Sequence, residues 1–373
     1  MLYKDFKGMS LSALGMGCMR FPCDANKHVD MAATAEMIDV CLQNGVNYFD
    51  TAWFYHGGRS ESIMGELLSK YPRESYYLAT KLPGHAYKSR EEVVERFNEQ
   101  LRRTRAGYFD FYLLHNVCED NVGIFTDPAL GIADFLREQK AAGKIRHLGI
   151  STHGSLALME KFISAHRDIV EFCQIQLNWL DWTLQDAKAK VELLNRFGIP
   201  IWVMEPLRGG KLATLSEEDA SALLAMRHAE SIPAWSFRFL QGIPGVTMVL
   251  SGMSDLSQVT DNIHTFGTSA PLDAEEQKAL FRIADAILAK KTLTCTGCKY
   301  CTEDCPMELD IPKLLSLYNK YCLTGGKVRA EAVACEVENG KLPSACVGCR
   351  TCEGKCPQKI KISEIMSDFA DRL

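Results

Sequence analysis

A (β/α)8 barrel of the TIM type followed by a small, mainly helical domain is the fold the sequence predicts, and three observations predict it. From Leu11 onward, short apolar runs alternate with amphipathic stretches of helical length, the pattern of parallel strands joined by crossover helices. Asp50, Lys81, His115, Ser151, Gln174, Glu205 and Ser251 fall at or near the C-terminal ends of separate runs. In a barrel those ends converge on one rim, where active sites are built. Near the end of the chain, Cys295-x-x-Cys298-x-x-Cys301-x-x-x-Cys305-Pro306 recurs 51 residues on as Cys346-x-x-Cys349-x-x-Cys352-x-x-x-Cys356-Pro357. The barrel is expected over 1–285 and the cysteine-rich domain over 286–373.

The elements follow in order. Candidate strands are Ala13–Cys18, Asn47–Asp50, Tyr76–Lys81, Phe109–His115, His147–Ser151, Phe172–Gln176, Ile201–Glu205 and Val246–Ser251. Eight of them favour a closed barrel over an open doubly wound sheet. Ser89 and Glu92 form a capping box ahead of Val94, Phe97 and Leu101 at helical spacing, and Pro128 suits the first turn of the next helix. Gly45, Gly143 and Gly198 each follow a helical pattern and precede a strand, where a left-handed stop costs Gly least. A linker is expected around Thr268–Pro271, then a helix from about Asp273 to Lys290, with Ile311–Tyr321 and Lys327–Val337 helical between the cysteine runs.

The totals limit the function classes. A chain of 373 residues holds one large domain of about 250–300 residues plus a small one. Its 47% hydrophobic and 24% charged residues are ordinary for a globular protein, and a net charge of -5 leaves no basic footprint for nucleic acid. Of fifteen cysteines, the seven outside the two runs (Cys18, Cys23, Cys41, Cys118, Cys173, Cys322 and Cys335) show no disulfide spacing, which points to a reducing cytoplasm. No apolar leader opens the chain and no apolar run reaches about 18 residues, so neither secretion nor a membrane partner is expected.

Each cysteine run resembles those that hold cubane clusters in bacterial ferredoxins, where three close thiolates grip one cluster and the fourth reaches to the other. The resemblance implies one [4Fe-4S] cluster on Cys295, Cys298, Cys301 and Cys356, and a second on Cys346, Cys349, Cys352 and Cys305. A pair of zinc knuckles is the bland alternative, but such sites usually show two C-x-x-C pairs or mixed Cys/His ligands, and neither run contains a His. With 41 residues between Cys305 and Cys346, the module reads as a helical relative of ferredoxin, not the compact two-cluster form.

Gly45-Val-Asn-Tyr-Phe-Asp50-Thr-Ala-Trp-Phe-Tyr55 resembles the aldo-keto reductase signature. So do Ala79-Thr80-Lys81, Tyr112-Leu-Leu-His115, Leu148-Gly-Ile-Ser151 and Pro206-Leu-Arg-Gly-Gly210, in order at the ends of strands two, three, four, five and seven. Together with the tail, the chain is similar to the iron-sulfur-bearing branch of that family. The resemblance implies Tyr55 as general acid, Lys81 to lower its pKa from the ~10 of a free phenol, Asp50 to hold the ammonium, and His115 to orient the carbonyl oxygen. It places Ser151 and Gln174 on the nicotinamide carboxamide, and puts Glu205, Leu207, Arg208, Ser251, Met253, Gln258 and Asn262 along the rest of the cofactor. Thr152 replaces the usual Asn, Met204 stands where a Tyr commonly stacks on the nicotinamide, and Asp255 sits where a 2'-phosphate would be clamped. NADH is therefore expected over NADPH, or else weak dinucleotide binding.

Two function classes follow. One is an oxidoreductase acting on a small-molecule carbonyl or alcohol with NAD(H) or NADP(H). The other is an electron-transfer or redox-sensing protein with the barrel as a binding scaffold. Hydride moves two electrons and a cubane one, so exchange between them calls for a flavin, and a barrel rim can hold FMN phosphate through its seventh and eighth loops. A ferredoxin or another electron-transfer protein is the partner such clusters imply.

Overall fold

Eight parallel strands close into a ring in the computed structural model, which describes residues 1–24, 28–85, 87–289, 293–324, 333, 337 and 341–373. After an N-terminal hairpin of β1 (Tyr3–Phe6) and β2 (Met9–Ser12) come β3 (Leu14–Gly17), β4 (Tyr48–Asp50), β5 (Tyr77–Leu82), β6 (Phe109–Val117), β7 (Ile145–Thr152), β8 (Cys173–Gln176), β9 (Ile201–Met204) and β10 (Val246–Ser251). Each of β3 to β9 pairs with its successor, and β10 pairs with both β9 and β3, so the barrel is closed and the open doubly wound sheet is excluded. All eight expected strands are present.

The hairpin, absent from the expectation, closes the N-terminal end of the barrel. Phe6 and Leu11 are buried in one cluster with Tyr48, Phe111, Phe172 and Trp202. Phe6 meets Phe172 and Trp202 edge-on at 6.1 and 5.1 Å between ring centroids. Burying one such side chain contributes about 1.5–3 kcal/mol.

Glu171 ties this end together. Its carboxylate accepts hydrogen bonds from the Leu148 amide at 2.8 Å and from Lys7 and Lys140 at 2.5 Å each, with His147 Nδ1 at 3.1 Å. Burial would raise its pKa, but these donors outweigh burial and hold the carboxyl well below its ordinary 4.5. A depressed folded-state pKa contributes stability that is fully present above pH 4.5 and is lost as the pH falls below it. Glu171→Gln is expected to lower the unfolding free energy by about 2 kcal/mol near neutrality, discounting the exposed lysines, and to flatten the acid limb. Urea unfolding on both sides of that pH reads both effects.

Local signals fared unevenly. Gly45, Gly143 and Gly198 take φ of 83°, 71° and 62° just past the helices Met31–Gln43, Ile132–Ala141 and Ala187–Arg196. The capping box does not form. Ser89 is the N-cap of Arg90–Thr104 without a side-chain cap bond, and Glu92 accepts from the Lys88 amide at 2.8 Å. Pro128 lies in a turn ahead of Ile132–Ala141, because the chain first makes a turn at Asp127–Gly131 that the proline belongs to. The linker at Thr268–Pro271 is pinned. Arg238 donates to Thr268 O at 2.7 Å, and Arg227 donates to Ala270 O at 3.1 Å while pairing with Glu276 at 2.6 Å.

The chain divides into two compact units, one of Met1–Leu207 with Ala213–Ala279, the other of Arg208–Leu212 with Leu280–Leu373. The second carries the helices Ile311–Thr324 and Ile362–Arg372 around a core that includes Leu314, Leu315, Met366 and Phe369. The helix expected over Lys327–Val337 lies outside the described residues, apart from positions 333 and 337. No described helix is long and apolar enough to cross a membrane.

Candidate active site

Strands β4, β5 and β6 end side by side, and their last residues meet. Lys81 Nζ donates to Asp50 Oδ1 at 2.5 Å, to Thr51 O at 2.8 Å and to Tyr55 Oη at 3.3 Å. Tyr55 opens a short turn after β4, and its ring stands edge-on to His115 with centroids 6.0 Å apart. Lys81 is 1% and Asp50 2% exposed, so the ion pair is held out of water. Burial pushes the Asp50 carboxyl up, opposed by the Lys81 ammonium. His115 is driven well below its ordinary 6.5, first by burial and then by the charge of Lys81, so its imidazole is neutral at physiological pH.

A buried network behind β5 holds Lys81 in place. Gln100 Nε2 donates to Lys81 O at 3.0 Å and to Glu61 Oε1 at 2.5 Å, and Thr80 Oγ1 donates to the same Glu61 oxygen at 2.6 Å. Glu61 and Gln100 carry no sequence signal, since neither sits at a strand end in a recognisable motif; Thr51 lies inside the Asp50 motif but acts through its backbone oxygen, which no side-chain pattern marks. Asn116 was also missed. It takes φ of 58°, its amide donates to Ser151 Oγ at 2.8 Å, and its Oδ1 is buried without a partner. A non-glycine residue at positive φ directly after His115 is a signal only the backbone reveals.

The expected cofactor positions divide into three groups. Ser151 and Gln174 are adjacent across β7 and β8, and Gln174 Oε1 is buried without a hydrogen-bond partner. A vacant acceptor there fits the amide donors of a carboxamide. Thr152 is engaged elsewhere, donating to Val117 O at 2.6 Å. On β10 and the helix Leu256–Thr265, Asn262 Nδ2 donates to Ser251 Oγ at 3.0 Å, and Met253 is buried beside them. Asp255 caps that helix, accepting from the Gln258 amide at 2.9 Å and Ser257 Oγ at 2.6 Å, bonds that keep its carboxyl below the ordinary range. Gln258 is exposed, with its side chain already engaged: Nε2 donates to Asp255 at 2.7 Å and Oε1 accepts from Ser254 N at 2.9 Å. Glu205 follows β9 at φ 57° and pairs with Arg20 at 3.8 Å, while Leu207 is half-buried. Arg208 stands apart from these. It belongs to the second unit, 1% exposed, donating to Thr294 O at 2.5 Å and Gln358 Oε1 at 2.6 Å.

In the second unit the sequence repeat is also a conformational one. Left-handed φ values recur at 51-residue intervals: Gly297 and Gly348 (70° and 69°), Lys299 and Arg350 (66° and 62°), Glu308 and Lys359 (52° each). These turns present the sulfurs. Cys305, Cys346, Cys349 and Cys352 line one cavity with Pro306 and Met307. Cys301 is pushed up by burial and by the neighbouring thiols Cys298, Cys356 and Cys295 in turn, with a smaller push from Cys352. Sulfur acceptors are met by Gly297 N–H on Cys295 at 3.4 Å, Leu309 N–H on Cys305 at 3.5 Å and the Thr351 hydroxyl on Cys349 at 3.5 Å. Among the described residues, no three His, Cys, Asp or Glu side chains converge closely enough for a single ion. Thiols spread around a void, with N–H donors on the sulfurs, fit a cluster better than one zinc.

Comparison with known proteins gives this geometry a lineage. The model of the aldo/keto reductase family matches residues 13–285, and that of a 4Fe-4S dicluster domain matches residues 294–360. An uncharacterized oxidoreductase, YqkF of Bacillus subtilis (strain 168), is 27% identical over 73% of this chain and 92% of its own. The NADH-specific methylglyoxal reductase of Escherichia coli (strain K12) is 27% identical over 55% of this chain and 66% of its own. An aldo/keto reductase from Klebsiella pneumoniae, solved with NADP and acetate, shares the fold at a TM-score of 0.59 and 18% identity, over 74% of this chain and 93% of that one. The chain belongs to the aldo/keto reductase family and carries a 4Fe-4S dicluster domain after its barrel.

Proposed function

We propose that the barrel interconverts a small-molecule carbonyl and its alcohol with a nicotinamide dinucleotide, and that two cubane clusters occupy the second unit. The observation that carries the first part is the contact of Lys81 Nζ with both Asp50 and Tyr55, beside a neutral His115. When bound, the dinucleotide supplies or accepts a hydride at the substrate carbon. Everything else falls to the chain. Neutral His115 hydrogen-bonds the carbonyl oxygen and fixes its direction, a contribution to orientation that an imidazolium 's charge would not improve. The Tyr55 hydroxyl delivers its proton to that oxygen, and the phenolate left behind faces the Lys81 ammonium, which favours it electrostatically. Asp50 balances the ammonium in the resting site; once Tyr55 has given up its proton the three groups carry one net negative charge, shared across the Lys81 ammonium between phenolate and carboxylate.

Gln174 Oε1, and the Ser151 hydroxyl next to it, are the groups that would hold the carboxamide. Asp255, kept ionised at the start of Leu256–Thr265, is placed to repel a 2'-phosphate. NADH is accordingly the expected cofactor, in keeping with the NADH-specific Escherichia coli relative. No relative named above is described with a flavin, and FMN forms no part of this reading. Carbonyl-dependent oxidation of NADH and NADPH by the anaerobically purified protein, over a panel of aldehydes and ketones, is the test. A kcat/KM at least ~tenfold higher with NADH, the ratio for a penalty of about 1.4 kcal/mol, is expected. Turnover with neither dinucleotide would remove the reading.

For the second unit, the proposed ligand sets are Cys295, Cys298, Cys301 and Cys356, and Cys305, Cys346, Cys349 and Cys352. The second set lines one cavity, and the first is supported by the mutual influence of its thiols on Cys301. A ferredoxin-type one-electron protein is the proposed partner, in a reducing compartment where the thiols stay free.

A further inference from the structure

The two halves of the second unit are near copies, and a segment with no counterpart in the repeat breaks their equivalence. Arg208–Leu212 packs into this unit from far away in sequence. Arg208 bridges the residue before Cys295 to the residue two after Cys356, through Thr294 O at 2.5 Å and Gln358 Oε1 at 2.6 Å. Its guanidinium is thus anchored to the residue before Cys295 and to one two residues past Cys356, and at 1% exposure its charge is barely screened. Lys211, three residues on in the same inserted segment, is exposed and adds a second positive charge to it. The second set has only a weaker counterpart: Lys341 donates to Met307 O at 2.9 Å, but it is half-exposed and pairs with Glu308 at 2.9 Å. The repeat places Ala345 and Met307 where the first half has Thr294 and Gln358. Among the described residues lining its cavity, the one charged side chain is Arg350, which is exposed and is matched in the first half by Lys299.

We propose that Arg208 and Lys211 set the reduction potential of the cluster on Cys295, Cys298, Cys301 and Cys356 above that of its partner, making the two cubanes inequivalent. The proposal rests on the ligand sets given above. Adding an electron to a cluster adds a negative charge, and nearby fixed positive charge stabilises that reduced state. Net charge and hydrogen bonding at the sulfurs are established determinants of cluster potential, and here the buried cation, Arg208, falls on the side of the first set, whereas Lys341 on the other side is half-exposed and paired with Glu308.

Potentiometric titration of the holo-protein followed by EPR tests this, with iron and sulfide counts run alongside. Wild type is expected to give two one-electron waves. Arg208→Gln with Lys211→Gln is expected to lower the upper wave so that its reduced fraction at fixed poise falls about tenfold, which is 59 mV for one electron, while the lower wave stays put. Arg208→Lys, which keeps the charge, is expected to hold the wild-type value. Should Arg208→Gln lose iron, Lys211→Gln alone is read for a smaller shift of the same sign. Two waves that move together, or neither moving, overturn the proposal. Fewer than two clusters in wild type overturns the ligand sets beneath it.

Discussion

Tyr55→Phe is expected to lower kcat for carbonyl reduction by ~10²–10⁴-fold while leaving the fold and dinucleotide affinity in place. The substitution removes one oxygen, and the ring keeps its edge-on packing against His115. What disappears is the group 3.3 Å from Lys81 Nζ that can give a proton to the reacting oxygen. Because the proton matters only as charge develops, the loss appears in kcat and kcat/KM together. Steady-state kinetics, with dinucleotide binding measured by fluorescence and secondary structure by circular dichroism, separates the chemistry from misfolding. A variant that turned over carbonyls at the wild-type rate would show that the acid lies elsewhere.

Lys81→Met carries the largest expected cost in stability. It deletes a cation that is 1% exposed and leaves Asp50, whose Oδ2 already lacks a hydrogen-bond partner, as a lone buried carboxylate. Breaking a buried pair from one side costs about 3–5 kcal/mol. Adding Asp50→Asn removes the stranded charge, so the double variant should recover most of that loss while regaining no activity. Denaturant unfolding of the single and double variants gives the coupling directly. Equal destabilisation by each single variant with simple additivity would mean that the pair is not energetically linked.

The barrel was legible because its strands are continuous apolar runs whose ends carry the polar residues. Asp50, Lys81 and His115 are fixed by that rule, and Tyr55 by its spacing from Asp50. The hairpin was not legible: between Tyr3 and Ser12 the apolar residues Phe6, Met9 and Leu11 are scattered among charges and read as a polar leader, and their burial depends on a barrel end that local sequence does not describe. Arg208 illustrates the same limit at the site. Its motif gives it a cofactor role by resemblance, while its bonds to residues 86 and 150 positions away carry no local sequence signal. Ser89 had the right neighbours for a capping box, yet Glu92 reaches one residue further, to the Lys88 amide. Gln258 matched by position while its side chain closes on the Asp255 turn.

Among the described residues of Leu280–Leu373, four, Lys299, Glu308, Arg350 and Lys359, hold a left-handed backbone without being glycine. Each costs roughly 1–2 kcal/mol in an L-residue, a sum that is large beside the few kcal/mol a small module can gather from its core. The proposed clusters, once bound, would hold those turns in place. Protein made without iron or sulfide is expected to be cut by protease within Leu280–Leu373 while the first three quarters of the chain stays intact, so that its amount follows the supply of its inorganic parts.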